Sequence, residues 1–300
     1  MNRSLLTEVS LIAVALIWAL NFSVVKFSLL EIDPMSFNAF RFSLATLFMY
    51  FVLLRSGQKL VVHKGDWPKI IGLGLLGNLV YQSLFIVGIN FTFAANAAVM
   101  LGTIPVWIAL VGRIFFGQQL SWFTISGVAA AFLGIFLIME GSETGITLSS
   151  ENIVGDIVIL VAAFVFGLYT LFTKQMLGRY TPIQFTMLMM LTGGVALIIA
   201  GLPWIVRLDF GAVSAAAWGG TLYSGLLSIG MAYIIWNYGV SRVGPVRTAT
   251  FQNLVPVLGL VFGVVLLKEP LLLWQYVGAA FIIAGIVLAR TKPKPKLRTA

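Results

Sequence analysis

Asparagine, glutamine, tyrosine and tryptophan recur at helical spacing inside long apolar stretches of this sequence, a pattern suited to binding rather than to covalent catalysis. Trp18, Asn21, Phe22 and Val25 follow one another at steps of three or four and so share one face of a helix. Asn78, Tyr81, Gln82 and Phe85 do the same, as do Asn96, Met100, Thr103 and Trp107. Further along come Phe166, Tyr169, Thr170 and Thr173, then Tyr233, Trp236 and Asn237, then Arg247, Phe251, Gln252 and Asn253. An amide or hydroxyl facing hydrocarbon is costly, so each needs a partner. Two readings stand. The groups hydrogen-bond neighbouring helices, each contributing roughly 0.6–2 kcal/mol, or they line a solute path.

Catalytic signatures are missing. The sequence has no P-loop, H-E-x-x-H or G-x-S-x-G pattern, and without cysteine it has no disulfide, thiol nucleophile or thiolate metal ligand. Its single histidine, His63, falls in a connection between apolar runs. No Asp or Glu stands in the middle of a run, whereas proton-coupled carriers usually hold carboxylates or histidines there. The expectation is a facilitator or exchanger, not an enzyme, with neither cofactor nor metal. Two cations do lie inside or at the edge of runs, Lys26 and Arg41, both near Glu31 and Asp33. Snorkelling and ion pairing with those acids is one expectation; contact with a substrate carboxylate is the other. Arg247 could meet such a carboxylate from the opposite mouth.

The elements that position these groups must be membrane helices. Sixty per cent of the residues are apolar, 10% are charged, and the mean hydropathy is +1.01. A bilayer crossing takes about 20 apolar residues, and ten runs qualify, near 9–30, 35–54, 68–90, 94–116, 120–139, 153–175, 182–204, 213–239, 245–267 and 271–289. The first run is longer than a signal-peptide core and has no A-x-A-like site after it, so it reads as a retained span. The net charge of +9 is spread over short loops and a tail, not gathered into a nucleic-acid footprint.

With an even number of spans both termini share a side. Fifteen of the 19 Lys and Arg residues fall there, only Arg207 and Lys268 fall opposite, and the positive-inside rule makes that side cytoplasmic. A cell inner membrane is the expected location. Residues 291–300 alternate Lys with Pro and predict a disordered basic cytoplasmic tail able to touch anionic lipid.

The sequence also resembles itself. A shift of 148 places Lys26 on Lys174, Pro34 on Pro182 and Phe37 on Phe185. A shift of 151 places Gly74-Leu75-Leu76 on Gly225-Leu226-Leu227, Pro105-Val106 on Pro256-Val257, Gly127 on Gly278 and Gly134 on Gly285. The expectation is two five-helix halves, 1–145 and 146–290. Five is odd, so the second half enters the membrane inverted, the plan of many carriers with a midplane site between halves. Pro105 and Pro256, at equivalent mid-span places, each lack a backbone donor and predict a bend or hinge. The glycines Gly127, Gly134, Gly278 and Gly285, and the Gly259/Gly263 pair, read as close helix packing.

Trp18-Ala19-Leu20-Asn21-Phe22-Ser23-Val24-Val25-Lys26, followed by Pro34 and Arg41-Phe42, resembles the W-G-x-N-F-x-x-x-K opening of the EamA family of the drug/metabolite transporter superfamily. Pro256-Val257, Leu267-Lys268-Glu269, Gly278 and Gly285 resemble the family's ending; in the first half Gly117-Gln118 departs from it, where an acid is usual. The resemblance implies ten transmembrane helices, cytoplasmic termini, a central cavity, and export or exchange of small metabolites, commonly amino acids. It points to Asn21, Gln82, Tyr169, Tyr233 and Gln252 as cavity residues, joined by Trp18, Asn78, Tyr81, Met100 and Trp236. The aromatics suit an aromatic or apolar substrate. A flippase for a lipid or lipid-linked metabolite is the alternative, needing a lateral opening. Partners are expected to be the solute and membrane lipids, with the chain a monomer or homodimer.

Overall fold

The computed structural model describes residues 3–92, 97, 100–117, 121–140, 150–258 and 273–290. Asn96, the Gly259/Gly263 pair, Gln118, the Leu267-Lys268-Glu269 motif and the basic tail lie outside them. The described residues form helices joined by short turns. These are α1 (Arg3–Ser28), α2 (Pro34–Ser56), α3 (Lys64–Phe91), α4 (Ile104–Phe116), α5 (Trp122–Glu140), α6 (Ser150–Met176), α7 (Pro182–Ile205), α8 (215–243), α9 (Pro245–Thr250, continuing through the 3-10 turn Phe251–Asn253) and α10 (Leu273–Arg290). Helical stretches in α1, α2, α3, α6 and α7 are long and apolar enough to cross a bilayer, and shorter apolar helices fall at Met100–Phe115, Trp122–Leu137 and Tyr276–Leu288.

Local chemistry sets the ends. Asp33 Oδ1 accepts from the backbone N–H of Met35 (3.0 Å) and of Ser36 (2.9 Å), Pro34 fills the first turn of α2, and Gly57 closes the helix at φ 66°. Thr181 and Gln184 form a capping box around Pro182 at the start of α7, and Ser214 Oγ accepts from Ala217 N at 3.2 Å to open α8.

Among the described residues, three helices are interrupted by π segments: Leu75–Val80 in α3, Met190–Gly194 in α7 and Ser224–Met231 in α8. Such segments release main-chain carbonyls and gather at functional places. Here the carbonyl of Ser228 accepts from Trp18 Nε1 at 3.0 Å. The prolines act similarly. The helix ahead of Pro105 breaks at Thr103, and the stretch ahead of Pro256 tightens to the 3-10 turn Phe251–Asn253. Proline has no N–H for the carbonyl four residues back, which belongs to Leu101 and to Gln252 respectively.

α5 and α10 pack as a tight pair. A Cβ on Gly134 would lie 2.4 Å from the Gly278 carbonyl oxygen, and one on Gly285 would lie 2.5 Å from that of Gly127. The contacts are reciprocal: Gly134 meets Gly278 and Ile282, while Gly285 meets Gly127 and Ala131. Elsewhere Gly74 of α3 abuts Thr192 and Gly193 of α7, while Gly225 of α8 abuts Arg41 and Leu44 of α2. Only glycine permits these backbone approaches.

Candidate functional site

The cavity is built from five of these helices plus Leu101. Trp18, Asn21 and Phe22 come from α1, Arg41 from α2, and Tyr81, Gln82 and Phe85 from α3, just past its π segment. Ser228, Ile229 and Tyr233 come from α8, in or just past its own π segment, and Gln252 comes from α9. The volume is about 40 Å³, space for about three waters.

Arg41 dominates the site. It is 1% exposed and the largest fully buried side chain among the described residues. Its Nε donates to Asn38 Oδ1 (2.7 Å), one of its terminal amines donates to Ser224 Oγ (3.2 Å), and the other donates to Gln82 Oε1. Gln82 Nε2 in turn donates to the Tyr233 hydroxyl, and the Gln82 carbonyl accepts from Asn38 Nδ2 at 3.0 Å. The guanidinium carbon lies 5.4 Å from the Phe37 ring centre and 5.7 Å from that of Phe85, within cation–π reach.

The expected ion pairs of Arg41 and Lys26 with Glu31 and Asp33 do not form. Asp33 is committed to the α2 cap, about 12 Å of helix rise from Arg41. Glu31 accepts from the backbone N–H of Ser214 (2.6 Å) and from its hydroxyl (2.9 Å). Arg41 turns inward instead of snorkelling, and Lys26 stays half-buried on α1.

Trp18, Asn21, Tyr81, Gln82, Tyr233 and Gln252 therefore meet in one cavity with Arg41. Trp236 stands one layer behind, its ring 5.1 Å from Trp18 and 5.5 Å from Phe166, and Phe166 lies 4.6 Å from Tyr81. Tyr169 fills the space left by Gly77, and Asn78 Nδ2 donates to the Met189 carbonyl at 2.8 Å. Met100 is half-buried next to the cavity residue Leu101, and Arg247 is half-buried on the first turn of α9. Those two, Tyr169 and Asn78 do not line the cavity. Asn38, Ser224 and Ser228 were missed. The i, i+3 spacing of Asn38 and Arg41 on α2 was the available signal; the two serines carried none. Asn21 Oδ1 and Gln252 Oε1 are buried with no hydrogen-bond partner.

Polar contacts join helices at the two ends of the bundle. At the end where α2 finishes and α7 starts, the Asp66 carboxylate, 2% exposed, accepts from Arg179 (2.6 Å) and from the Tyr180 hydroxyl (2.9 Å). Burial foremost pushes the Tyr180 phenol above its ordinary pKa, so it remains a donor at neutral pH. At the end where α1 finishes and α8 starts, Glu31 holds Ser214.

An all-helical, multi-pass membrane protein enclosing a polar, aromatic cavity around a buried arginine is the class that this fold and site define. The EamA-like transporter family model matches residues 5–140 and 153–291, and the chain belongs to that family. It is 28% identical to the uncharacterized transporter YyaM of Bacillus subtilis (strain 168), over 89% of this chain and 88% of that one. A probable terminal-alkyne amino-acid exporter of Streptantibioticus cattleyicolor is 33% identical over 78% of this chain and 77% of its own. A probable amino-acid metabolite efflux pump of Escherichia coli (strain K12) is 25% identical over 92% and 91%. A solved crystal structure aligns with a TM-score of 0.78 over 95% of each chain at 17% identity, which establishes a shared fold.

Proposed function

We propose that the chain is a secondary carrier that exports small organic metabolites, amino acids first among them, across the inner membrane by alternating access. Its working parts are two inverted halves of five membrane helices each, residues 1–145 and 146–290, with both termini cytoplasmic. The observation that carries the reading is the cavity, which draws residues from both halves and closes on a buried cation. The family model's two stretches of similar length support the repeat, as do the reciprocal glycine contacts of α5 and α10. Residue i meeting j′ while j meets i′ is the mark of a two-fold relation.

Two relatives named for amino-acid export or efflux support the solute class. Facilitated diffusion or exchange is the energy mode, because the middles of the spans hold no acid to carry a proton. The end contacts fit gates. Glu31 and Arg179 stand 148 positions apart, as do Asp66 and Ser214, so the clasp at one end is the repeat counterpart of the clasp at the other.

Counterflow in proteoliposomes with labelled aliphatic, aromatic and hydroxylated amino acids tests the reading. Saturable exchange of one subset is expected. Folded protein that exchanges none of them contradicts it.

A further inference from the structure

Among the described residues, Arg41 is a buried cation without an acid beside it. Among the described residues its hydrogen-bond partners Asn38, Ser224 and Gln82 are all neutral. Acids among the described residues are held elsewhere: Glu31 and Asp33 at one end of α1 and α2, Asp66 with Arg179, and Asp209 bonded to the Gly211 N–H in a turn. Glu8 and Asp156 lie within the first two turns of α1 and α6. A charge left like this in a low-dielectric interior is expensive, and one retained there marks a solute or ion path.

The guanidinium also has capacity to spare. It carries five N–H donors, and three protein acceptors engage it. The remaining N–H groups can receive a second, anionic acceptor, for which the fork geometry suits a carboxylate. On the same cavity, Asn21 Oδ1 and Gln252 Oε1 are acceptors that lack a donor. The rings of Trp18, Phe22 and Phe85 line the same cavity.

We infer that Arg41 anchors the substrate's carboxylate, and that the site takes small organic carboxylates bearing either an amino or a hydroxyl donor beside the acid group, with an apolar body against the aromatic walls. The inference rests on the carrier reading and sharpens it. The neutral oxygens of Asn21 and Gln252 accept from a hydroxyl as readily as from an ammonium, and among the described residues that line the cavity no acid demands the ammonium's charge. The site therefore selects for the carboxylate and tolerates exchange of the amine.

The test is counterflow of labelled L-leucine and L-phenylalanine by the full chain in liposomes. The competitors are the matching 2-hydroxy acids, 2-hydroxyisocaproate and phenyllactate, and the matching amines without a carboxylate, isoamylamine and phenethylamine. Expected are 2-hydroxy acids competing within about tenfold of the amino acids, and amines weaker by about 10- to 100-fold, the loss of charge-assisted hydrogen bonds. Arg41→Gln should raise the half-saturating concentration by a similar factor, with Arg41→Lys recovering part of it. Amines competing as well as the amino acids overturn the inference, and that arm needs no variant to fold. Hydroxy acids failing to compete overturn its tolerance of the hydroxyl, and an unchanged Arg41→Gln protein overturns the anchor. In each of those outcomes exchange persists and the carrier reading stands. Folded wild-type protein that exchanges nothing contradicts the carrier reading itself, and the inference with it.

Discussion

Gln82 donates its side-chain amide to the hydroxyl of Tyr233, and the two residues stand 151 positions apart, the same shift that places Gly74-Leu75-Leu76 on Gly225-Leu226-Leu227 in the sequence. The bond therefore joins positions of α3 and α8 that the sequence self-similarity aligns, and Arg41 also donates to the Gln82 side-chain oxygen. Tyr233→Phe should leave the buried Gln82 amide without its acceptor, costing about 1–3 kcal/mol. The expected result is a lower unfolding temperature in detergent and altered exchange. The double variant with Gln82→Leu should lose less than the sum of the singles, as a coupled pair does. Strict additivity in that cycle contradicts a direct clasp.

A side chain at Gly134 or Gly285 has nowhere to go, because its Cβ would sit about 2.5 Å from the partner helix's carbonyl oxygen. Gly285→Val should destabilise the α5–α10 pair by about 1–3 kcal/mol through overpacking. Gly72→Ala is the control, since nothing lies within 4 Å of a Cβ there. Thermal unfolding of the two variants in the same detergent checks the contrast. Equal unfolding temperatures would refute the close approach.

Pro105 and Pro256 each follow a local break, and the carbonyls they cannot serve belong to cavity residues. Replacing either with Ala should extend regular helix through Thr103 or Gln252. As hinges, both variants should slow exchange while leaving the protein folded, measured as initial counterflow rates. Wild-type rates in both would remove the prolines from gating.

Much of this was legible in the sequence for a physical reason: lipid leaves helices as the outlet for main-chain polarity, so apolar runs and capping residues mark the elements directly. Runs placed near 35–54 and 182–204 correspond to Pro34–Ser56 and Pro182–Ile205. Trp18, Asn21, Tyr81, Gln82, Tyr233 and Gln252, which line the cavity, stand among the polar and aromatic groups that recur at helical spacing in the sequence. The direction of Arg41 was not. Its nearness in sequence to Glu31 and Asp33 suggested surface pairing, but an N-cap holds one acid and Ser214, more than 180 positions away, holds the other. The π segments were equally hidden, since no residue type demands them; two of them lie beside the close approach of Gly74 and Gly193.

The central claim is that one cavity opens to alternate sides as the two end clasps take turns to part, and a single cysteine can read this because the chain has none of its own. Ser228→Cys places a thiol on the cavity, and an impermeant maleimide is applied to each face of oriented vesicles. Arg179→Ala should release the Asp66 clasp and raise labelling from the cytoplasmic face. Ser214→Ala with Glu31→Gln should raise it from the opposite face. Each loses about 1 kcal/mol of closure, a shift of roughly fivefold. Labelling that moves in opposite directions for the two variants is the predicted result. Labelling that stays confined to one face, whichever clasp is cut, would contradict alternating access around this cavity.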